Sequence, residues 1–307
     1  MAQILNFAKK NKPAPVGNDE ALARFVDGYS IEVLPKTAAK IEDFRTILPS
    51  GTRVYVAHID GTDINDMTAT AGRLVDEGFE VMPHFPARSI TSKSELSGWI
   101  AKYRDVGVDQ ALLIAGGIAK PRGEFDSSMQ LIETGLFDAG GFSRLHVAGH
   151  PEGNKDIDPD GSENAVMYAI GWKAEFAKRT DATVAVATQF CFEAEPVIDW
   201  ANRLTEAGID LPVHIGVSGP AKLQTLIKFS LISGVGASVR VLQKRARDLT
   251  KLILPFEPTE FLTDLAQHKA ANPDFLIENV HFFPFGGITK TADYANGFAT
   301  EAARAGA

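Results

Sequence analysis

The amino-acid sequence predicts an α/β protein built as an eight-stranded parallel β/α barrel. Eight apolar runs of strand length recur along the chain, and segments with helical periodicity separate them. The connections are long enough for crossovers between parallel strands. A doubly wound open sheet is the alternative, and the number of strands favours the closed barrel. The strand-like runs cover residues 29–34, 53–58, 80–84, 110–115, 144–148, 183–189, 211–217 and 280–285.

The first strand carries one carboxylate in its middle. It is the run YSIEVLP at residues 29–35. Alternation along an extended chain places Ser30, Glu32 and Leu34 on one face and Ile31 and Val33 on the other. Glu32 therefore points away from its β-branched neighbours.

Helical patterns fill the segments between the strands. Glycines at Gly78, Gly107 and Gly208 stand where three of these helices are expected to end. Two helical patterns lie in the long segment before the eighth strand. The predicted helices cover residues 37–48, 64–77, 92–106, 127–139, 163–179, 195–207, 223–232, 237–252, 259–269 and 289–303.

Residues 1–20 are predicted to form a flexible N-terminal leader, because Pro13, Pro15 and Gly17 lie there among polar residues. Nothing after them resembles a linker between domains. Residues 21–307 are therefore predicted to form a single catalytic barrel domain. An apolar content of 45% is enough for a substantial core.

Charge and composition exclude several classes of function. A net charge of -8 and a pI near 5.4 argue against binding to nucleic acid, which needs a concentrated basic surface. No run approaches the ~20 apolar residues of a membrane span, and the first residues lack the order of a secretory signal. A single cysteine, Cys191, fits a reducing compartment. We expect a cytoplasmic protein, and the exterior helices are compatible with a homo-oligomer.

The carboxyl ends of the strands hold the candidate active site, as in other β/α barrels. Four strands end in titratable side chains, and glycines at other strand ends let a flat ligand approach the backbone. The residues at these ends are Glu32, His58, Asp60, His84, Gly116, Gly117, His150, Gln189, Gly216, Ser218, Phe285, Gly286 and Gly287.

Three of these residues are histidines that could either meet a metal or hydrogen-bond a polar ligand. They are His58, His84 and His150. The sequence contains no His-x-His, no HExxH and no cysteine pair, so we predict no metal site.

The glycine-rich loop AGGIAKPRG at residues 115–123 follows a strand but matches neither the dinucleotide-binding fingerprint nor a Walker motif. It has two interpretations. It binds a pyrophosphate with Lys120 or Arg122 as a counter-charge, or it is an ordinary tight turn.

Glu32 is the best candidate for acid–base chemistry. Desolvation inside a barrel mouth disfavours the charged form and raises the carboxyl pKa toward the range useful for proton donation. The alternative is an interior ion pair between Glu32 and a lysine or arginine.

Four short motifs carry a resemblance to a known family. They are SIEVLP at 30–35, MPH at 82–84, HPEG at 150–153 and ATQFCF at 187–192. In this order and at these separations they resemble the methylenetetrahydrofolate reductase family, over roughly residues 25–300. The pairing of Glu32 with the Thr188-Gln189-Phe190 motif is the most specific part.

The resemblance implies a barrel that uses NAD(P)H, through bound FAD, to reduce methylenetetrahydrofolate to methyltetrahydrofolate, or runs the reverse oxidation. By position, Glu32 matches the general acid that protonates a folate nitrogen. Gln189 matches the glutamine that contacts the pterin. Phe229, with Gln224 beside it, matches an aromatic residue that stacks on the nicotinamide or the folate, although plain core packing is the alternative. Phe285 joins this predicted substrate side.

The flavin side departs from the family pattern. Ala115 and Gly117 stand where the family has an arginine that helps to hold FAD and an aspartate beside the flavin ring. FAD is then held by other partners, or hydride passes directly from nicotinamide to folate; a folate-dependent transferase or a binding barrel without redox chemistry is the further alternative. The predicted cofactor residues are His58, Asp60, His84, Ala115, Gly116, Gly117, Lys120, His150 and Lys173.

Overall fold

Eight parallel strands close into a barrel in chain order in the computed structural model, which describes residues 18–232, 242 and 255–305. The first strand pairs with both the second and the eighth, which closes the sheet. The predicted barrel is confirmed, and the alternative of an open sheet is wrong. The strands are β1 (Ser30–Val33), β2 (Arg53–Val56), β3 (Glu80–Pro86), β4 (Gln110–Ile114), β5 (Arg144–Gly149), β6 (Thr183–Cys191), β7 (Val213–Ser218) and β8 (Ile277–Phe283).

Helices surround the barrel, and most of them lie where the helical periodicity predicts them. The predicted helix at 237–252 lies outside the described residues. The helices are α1 (Asn18–Val26), α2 (Pro35–Ala38), α3 (Ile64–Asp76), α4 (Lys93–Asp105), α5 (Ser128–Glu133), α6 (Leu136–Ala139), α7 (Asn164–Ala177), α8 (Ala194–Glu206), α9 (Leu223–Ile232), α10 (Thr259–Ala271) and α11 (Ile288–Ala305).

Helix α1 corrects the prediction of a leader over residues 1–20. Residues 18–20 belong to this helix, which buries Leu22, Phe25 and Val26 and packs against α10 and α11. The apolar residues of α1 are thus buried against the last two helices and β8, which the prediction overlooked. Residues 1–17 lie outside the described residues.

The predicted helix at 37–48 is wrong. Only one helical turn, α2, and a short 3-10 turn at Phe44–Thr46 form there. Arg73 of α3 donates hydrogen bonds to the carbonyl oxygens of Ala38, Ile41 and Glu42, at 3.1, 2.6 and 2.9 Å. A side chain from a neighbouring helix thus satisfies the carbonyls that a continuous helix would have used.

The predicted helix at 127–139 is divided into α5 and α6. Gly135 between them has a φ of 69°, in the left-handed region that favours glycine. The helical spacing of apolar residues continues across the break, so the pattern alone could not place it.

The main hydrophobic core lies between the outer face of the barrel and the helices. Outward-facing strand residues such as Ile31, Val54, Leu113 and Ile215 are fully buried in it. The inside of the barrel is different, because polar side chains are mixed there with a small apolar cluster around Tyr55. None of the helices in the described part of the chain has the length and apolar character needed to cross a bilayer.

Candidate active site

Glu32 lies inside the barrel near the carboxyl end of β1, and 19% of its side chain is exposed. Burial raises the pKa of this carboxyl, and the neighbouring His84 partly opposes the shift. The alternation of β1 sends Ile31 and Val33 outward into the core, so Glu32 can only face the barrel interior. Burial therefore favours the protonated form of this carboxyl.

Two histidines approach the same oxygen of Glu32. The Nε2 atoms of His84 on β3 and His281 on β8 lie 3.6 and 3.7 Å from Oε2. Burial lowers the pKa of His84 to about 4 and that of His281 to about 3, so both rings are neutral near pH 7. Among the described residues, no lysine or arginine forms an ion pair with Glu32, so the structure does not bear out the alternative of an interior ion pair.

A polar network continues below Glu32 into the barrel. Ser30 Oγ lies 3.0 Å from His281 Nδ1, and the rings of Tyr55 and His281 pack together with their centroids 4.2 Å apart. The Tyr55 hydroxyl lies 2.5 Å from Nδ1 of His146. The His146 ring in turn meets the ring of His214 edge to face, with their centroids 4.5 Å apart. Glu32 therefore stands at the top of a buried network that links β1, β2, β5, β7 and β8.

The sequence-based prediction missed this network, although the sequence contains a signal for it. His146, His214 and His281 each lie between two apolar residues in the middle of a predicted strand. In a closed barrel the apolar neighbours of such a residue face the helices, so the histidine itself must face the interior. The predicted site contained only residues at the strand ends, so these histidines within the strands were not included.

Gln189 lies at the carboxyl end of β6 beside His150. Nδ1 of His150 and Oε1 of Gln189 are 3.4 Å apart, and burial lowers the pKa of His150 to about 4. The two residues predicted from different motifs are thus brought together. A bulge in β6 between Ala187 and Phe190 sets the direction of Gln189.

Gly216 on β7 is required by this bulge. A Cβ atom there would lie 2.5 Å from the carbonyl oxygens of both Thr188 and Gln189. The contact between two strands therefore requires a glycine here, and it explains this glycine without a ligand. Gly116 and Gly286 are similarly crowded, because their Cβ atoms would lie 2.9 Å from the Pro86 side chain and 2.0 Å from the Pro220 carbonyl oxygen.

An aromatic wall, defined here as Phe190, Phe229, Phe283 and Phe285, stands over the carboxyl ends of β6 to β8. Phe229 and Phe285 stack with their centroids 4.4 Å apart, and Phe190 meets Phe285 edge to face at 5.0 Å. The ring of Phe283 lies 4.9 Å from that of His281, which connects the wall to the histidine beside Glu32. The wall and Glu32 therefore belong to one site.

Gln224 does not join the wall. It is exposed on α9, five residues before Phe229, which places it about 140° around the helix. Phe229 itself is partly buried and packs against Phe285.

The loop at 115–123 is tied to the loop after β3. Arg88 donates a hydrogen bond to the Ile118 carbonyl oxygen at 3.2 Å, and Arg122 forms an ion pair with Asp60 at 2.7 Å. Lys120 is exposed, and a Cβ on Gly117 would have nothing within 4 Å. This geometry combines an ordinary turn with an open surface at Gly117.

The remaining predicted cofactor residues lie apart from one another. His58 packs against Trp99, with centroids 5.7 Å apart, and burial lowers its pKa. Lys173 of α7 is 5% exposed and donates to the Ala148 carbonyl oxygen at 3.3 Å, beneath the end of β5. Burial lowers the pKa of Lys173 to about 8.

The described residues do not fit a FAD site of the family's kind. Ala115 and Gly117 offer no charge, His84 faces Glu32 inside the barrel, and Lys173 is buried. Asp60 is taken up by Arg122. The cations and the ring partners that the resemblance implies for a flavin dinucleotide are therefore not gathered on one surface. No group of three or more metal-binding side chains that could hold an ion occurs in the described ranges.

No family model matches the chain. Among solved structures, a Yersinia pestis DHPS with a pterine-sulfa conjugate aligns with 93% of this chain and 96% of its own, at 11% identity and a TM-score of 0.44. An Ignisphaera aggregans GH53 catalytic domain aligns with 85% of this chain and 84% of its own, at 11% identity and a TM-score of 0.44. A 7,8-dihydropteroate synthase from Vibrio fischeri aligns with 90% of this chain and 94% of its own, at 10% identity and a TM-score of 0.43. Likeness at this level assigns no chemistry to the chain.

Proposed function

We propose that the protein is an oxidoreductase that transfers hydride from NAD(P)H to methylenetetrahydrofolate and forms methyltetrahydrofolate, with Glu32 as the general acid. The observation that carries the proposal is Glu32 itself. It is a buried carboxyl with a raised pKa, it lies between two neutral imidazoles, and it adjoins an aromatic wall through His281 and Phe283.

The chemistry of the reaction needs an acid of this kind. Glu32 gives its proton to one of the two nitrogens of the methylene bridge as the bond between that nitrogen and the bridging carbon breaks. The bridging carbon and the other nitrogen are left as an iminium ion. Hydride from the nicotinamide then forms the new carbon–hydrogen bond, and the methyl group results. A carboxyl group that is protonated near neutral pH and is able to ionise there supplies the proton.

The rest of the site is suited to flat heterocyclic rings. In this proposal Gln189, beside His150, reads the hydrogen-bonding edge of the pterin, because an amide offers both a donor and an acceptor. The aromatic wall provides a stacking surface on the other side and keeps water from the iminium ion.

We propose direct hydride transfer from nicotinamide, because the described residues lack the flavin cradle. FAD as an intermediate carrier is the competing form of the same reaction. An open surface at Gly117 is available for a ring of either kind.

The test is an anaerobic assay of NADH and NADPH oxidation with and without methylenetetrahydrofolate, together with the visible spectrum of the purified protein. We expect a protein without flavin absorbance that oxidises the nicotinamide only when the folate is present. A flavin band that NADH bleaches and the folate restores would replace direct transfer with the flavin route. Absence of any folate-dependent oxidation or methyltetrahydrofolate would refute the proposed function.

A further inference from the structure

The side chains below Glu32 form a hydrogen-bonded chain whose direction can be worked out. The chain runs from the Val280 carbonyl oxygen through Ser30 to His281, whose Nε2 faces Oε2 of Glu32. Each member is buried, with Ser30 and His281 only 1% exposed, so water does not compete for their protons. The position of each proton then follows from which atoms are able to donate.

The Tyr55 hydroxyl lies 2.5 Å from His146 Nδ1. A phenol is a stronger acid than a neutral imidazole N–H, and the imidazole nitrogen is a stronger base than a phenol oxygen. Tyr55 therefore donates to His146, so its proton is directed away from Ser30 and His281.

The Ser30 hydroxyl has two neighbours that could take its proton. The Val280 carbonyl oxygen at 3.4 Å can only accept, whereas His281 Nδ1 at 3.0 Å accepts in one tautomer and donates in the other. Both contacts are hydrogen bonds only when Ser30 donates to Val280 and accepts from His281, so this arrangement places the proton of the neutral ring on Nδ1. The other ring nitrogen, Nε2, then has a free lone pair directed at Glu32.

We propose that Ser30 and His281 are positioning residues that hold Glu32 in its protonated form. Oε2 of Glu32 lies 3.7 Å from Nε2 of His281, where a carboxylate oxygen is repelled by the nitrogen lone pair and the O–H of a carboxylic acid is attracted to it. His84, whose Nε2 lies 3.6 Å from the same oxygen, partly opposes this effect. Among the described residues, no lysine or arginine pairs with Glu32 to favour its charged form.

Within the part of the chain that the structure describes, the titratable groups that face Glu32 are His84 from β3, His281 from β8 and Tyr55 from β2. The histidines are neutral near pH 7, and Tyr55 stays a phenol because burial raises its pKa. The role of this arrangement in catalysis rests on the proposed function, but the protonation of His281 and Glu32 can be measured in the protein without substrate.

The first test is the tautomer of His281 in the full-length protein labelled with 15N-histidine, with the His281 signals assigned by their loss in His281→Gln. The 15N shifts distinguish a protonated ring nitrogen from one with a free lone pair. We expect Nδ1 of His281 to be protonated and Nε2 to be unprotonated at pH 7. A ring protonated on Nε2 would overturn the proposal.

The second test follows the infrared carbonyl band of protonated Glu32 against pH, assigned by its loss in Glu32→Gln. Ser30→Ala frees His281 to take the other tautomer, and we expect the midpoint of the band to fall by about one pH unit, a tenfold smaller protonated fraction above it. Ser128→Ala, a buried serine on α5 outside the barrel interior, is the matched control and should leave the midpoint unchanged. An unchanged midpoint in folded Ser30→Ala would also overturn the proposal.

These readouts need no substrate, so they separate the two claims. A correct tautomer and a shifted midpoint in a protein that does not reduce methylenetetrahydrofolate would refute the proposed function alone. Folate-dependent activity with the opposite tautomer would refute the positioning role alone.

Discussion

Oε2 of Glu32 and Nε2 of His281 lie 3.7 Å apart, on the two strands whose pairing closes the barrel. The candidate acid is therefore held across the seam where the first and the last strand meet. Neither residue has this partner until the whole chain has folded, so the acid site is assembled by closure of the barrel.

Replacing Glu32 with glutamine should abolish turnover of methylenetetrahydrofolate while the fold is kept. Glutamine has nearly the same shape but cannot supply a carboxylic proton, so we expect kcat to fall by about 10²–10⁴-fold. The measurement is folate-dependent NAD(P)H oxidation by Glu32→Gln. The exposed Glu133→Gln on α5 is the control for a charge change alone. Full activity in Glu32→Gln would contradict the assigned role.

The buried histidines should make the protein sensitive to acid. In the folded protein burial lowers the pKa of His84 to about 4 and those of His214 and His281 to about 3, from the ordinary value of 6.5. Below pH 6.5 the unfolded chain binds protons that the folded protein excludes, so stability falls as the pH falls toward 4. At pH 5 each such histidine should cost about 2 kcal/mol of the free energy of unfolding.

Urea unfolding at several pH values measures this effect. His214→Leu removes one of the buried histidines, and its free energy of unfolding should depend less steeply on pH between 6.5 and 4. An identical slope in the wild type and the variant would contradict burial of a neutral ring at this position.

Two glycines at the mouth should respond differently to alanine. Gly216→Ala places a Cβ 2.5 Å from the Thr188 and Gln189 carbonyl oxygens, so we expect a loss of about 1–3 kcal/mol and weaker folate binding because Gln189 is displaced. Gly117→Ala meets no atom within 4 Å and should be tolerated in stability. The two variants are compared by thermal unfolding and by their KM for the folate. Equal stability of the two variants would show that the bulge does not constrain Gly216.

Burial of Lys173 should lower the stability of the protein, and its side chain should not bind the cofactor. Burial lowers its pKa in the folded protein to about 8 from the ordinary value of 10.5, so the wild type should gain stability as the pH rises through that range. Lys173→Met should be more stable than the wild type at pH 7 and should lose this pH dependence. A large rise in the KM for NAD(P)H in this variant would instead place Lys173 in the cofactor site.

The barrel and all eight strands could be predicted from the sequence, because eight apolar runs of strand length alternate with helical segments and few folds have this pattern. The sequence also predicted the position of Glu32, since β-strand alternation separates it from Ile31 and Val33. It failed where a distant side chain decides the local structure, as Arg73 does for the carbonyls of residues 38, 41 and 42.

The candidate site, like the fold, could be predicted from the sequence only in part. The end of each strand could be read from the sequence, so Gln189 and His150 were both selected, and they do meet. How far each side chain lies from solvent could not be predicted from the sequence. His84, which the resemblance matches to a flavin-contacting residue, faces Glu32 inside the barrel, and Lys173, named as a possible cofactor partner, is buried. The position of a residue on a strand or helix fixes the direction of its side chain but not its distance from solvent.

The most direct test of the proposed function uses NADH and NADPH carrying deuterium at the transferred C4 position, with methylenetetrahydrofolate and the full-length protein in ordinary water. We predict methyltetrahydrofolate with one deuterium in its methyl group, because direct transfer gives the label no chance to exchange with solvent. Loss of the label into water with the methyl product still formed would indicate an exchangeable flavin carrier. No methyltetrahydrofolate from either cofactor would contradict the proposed function.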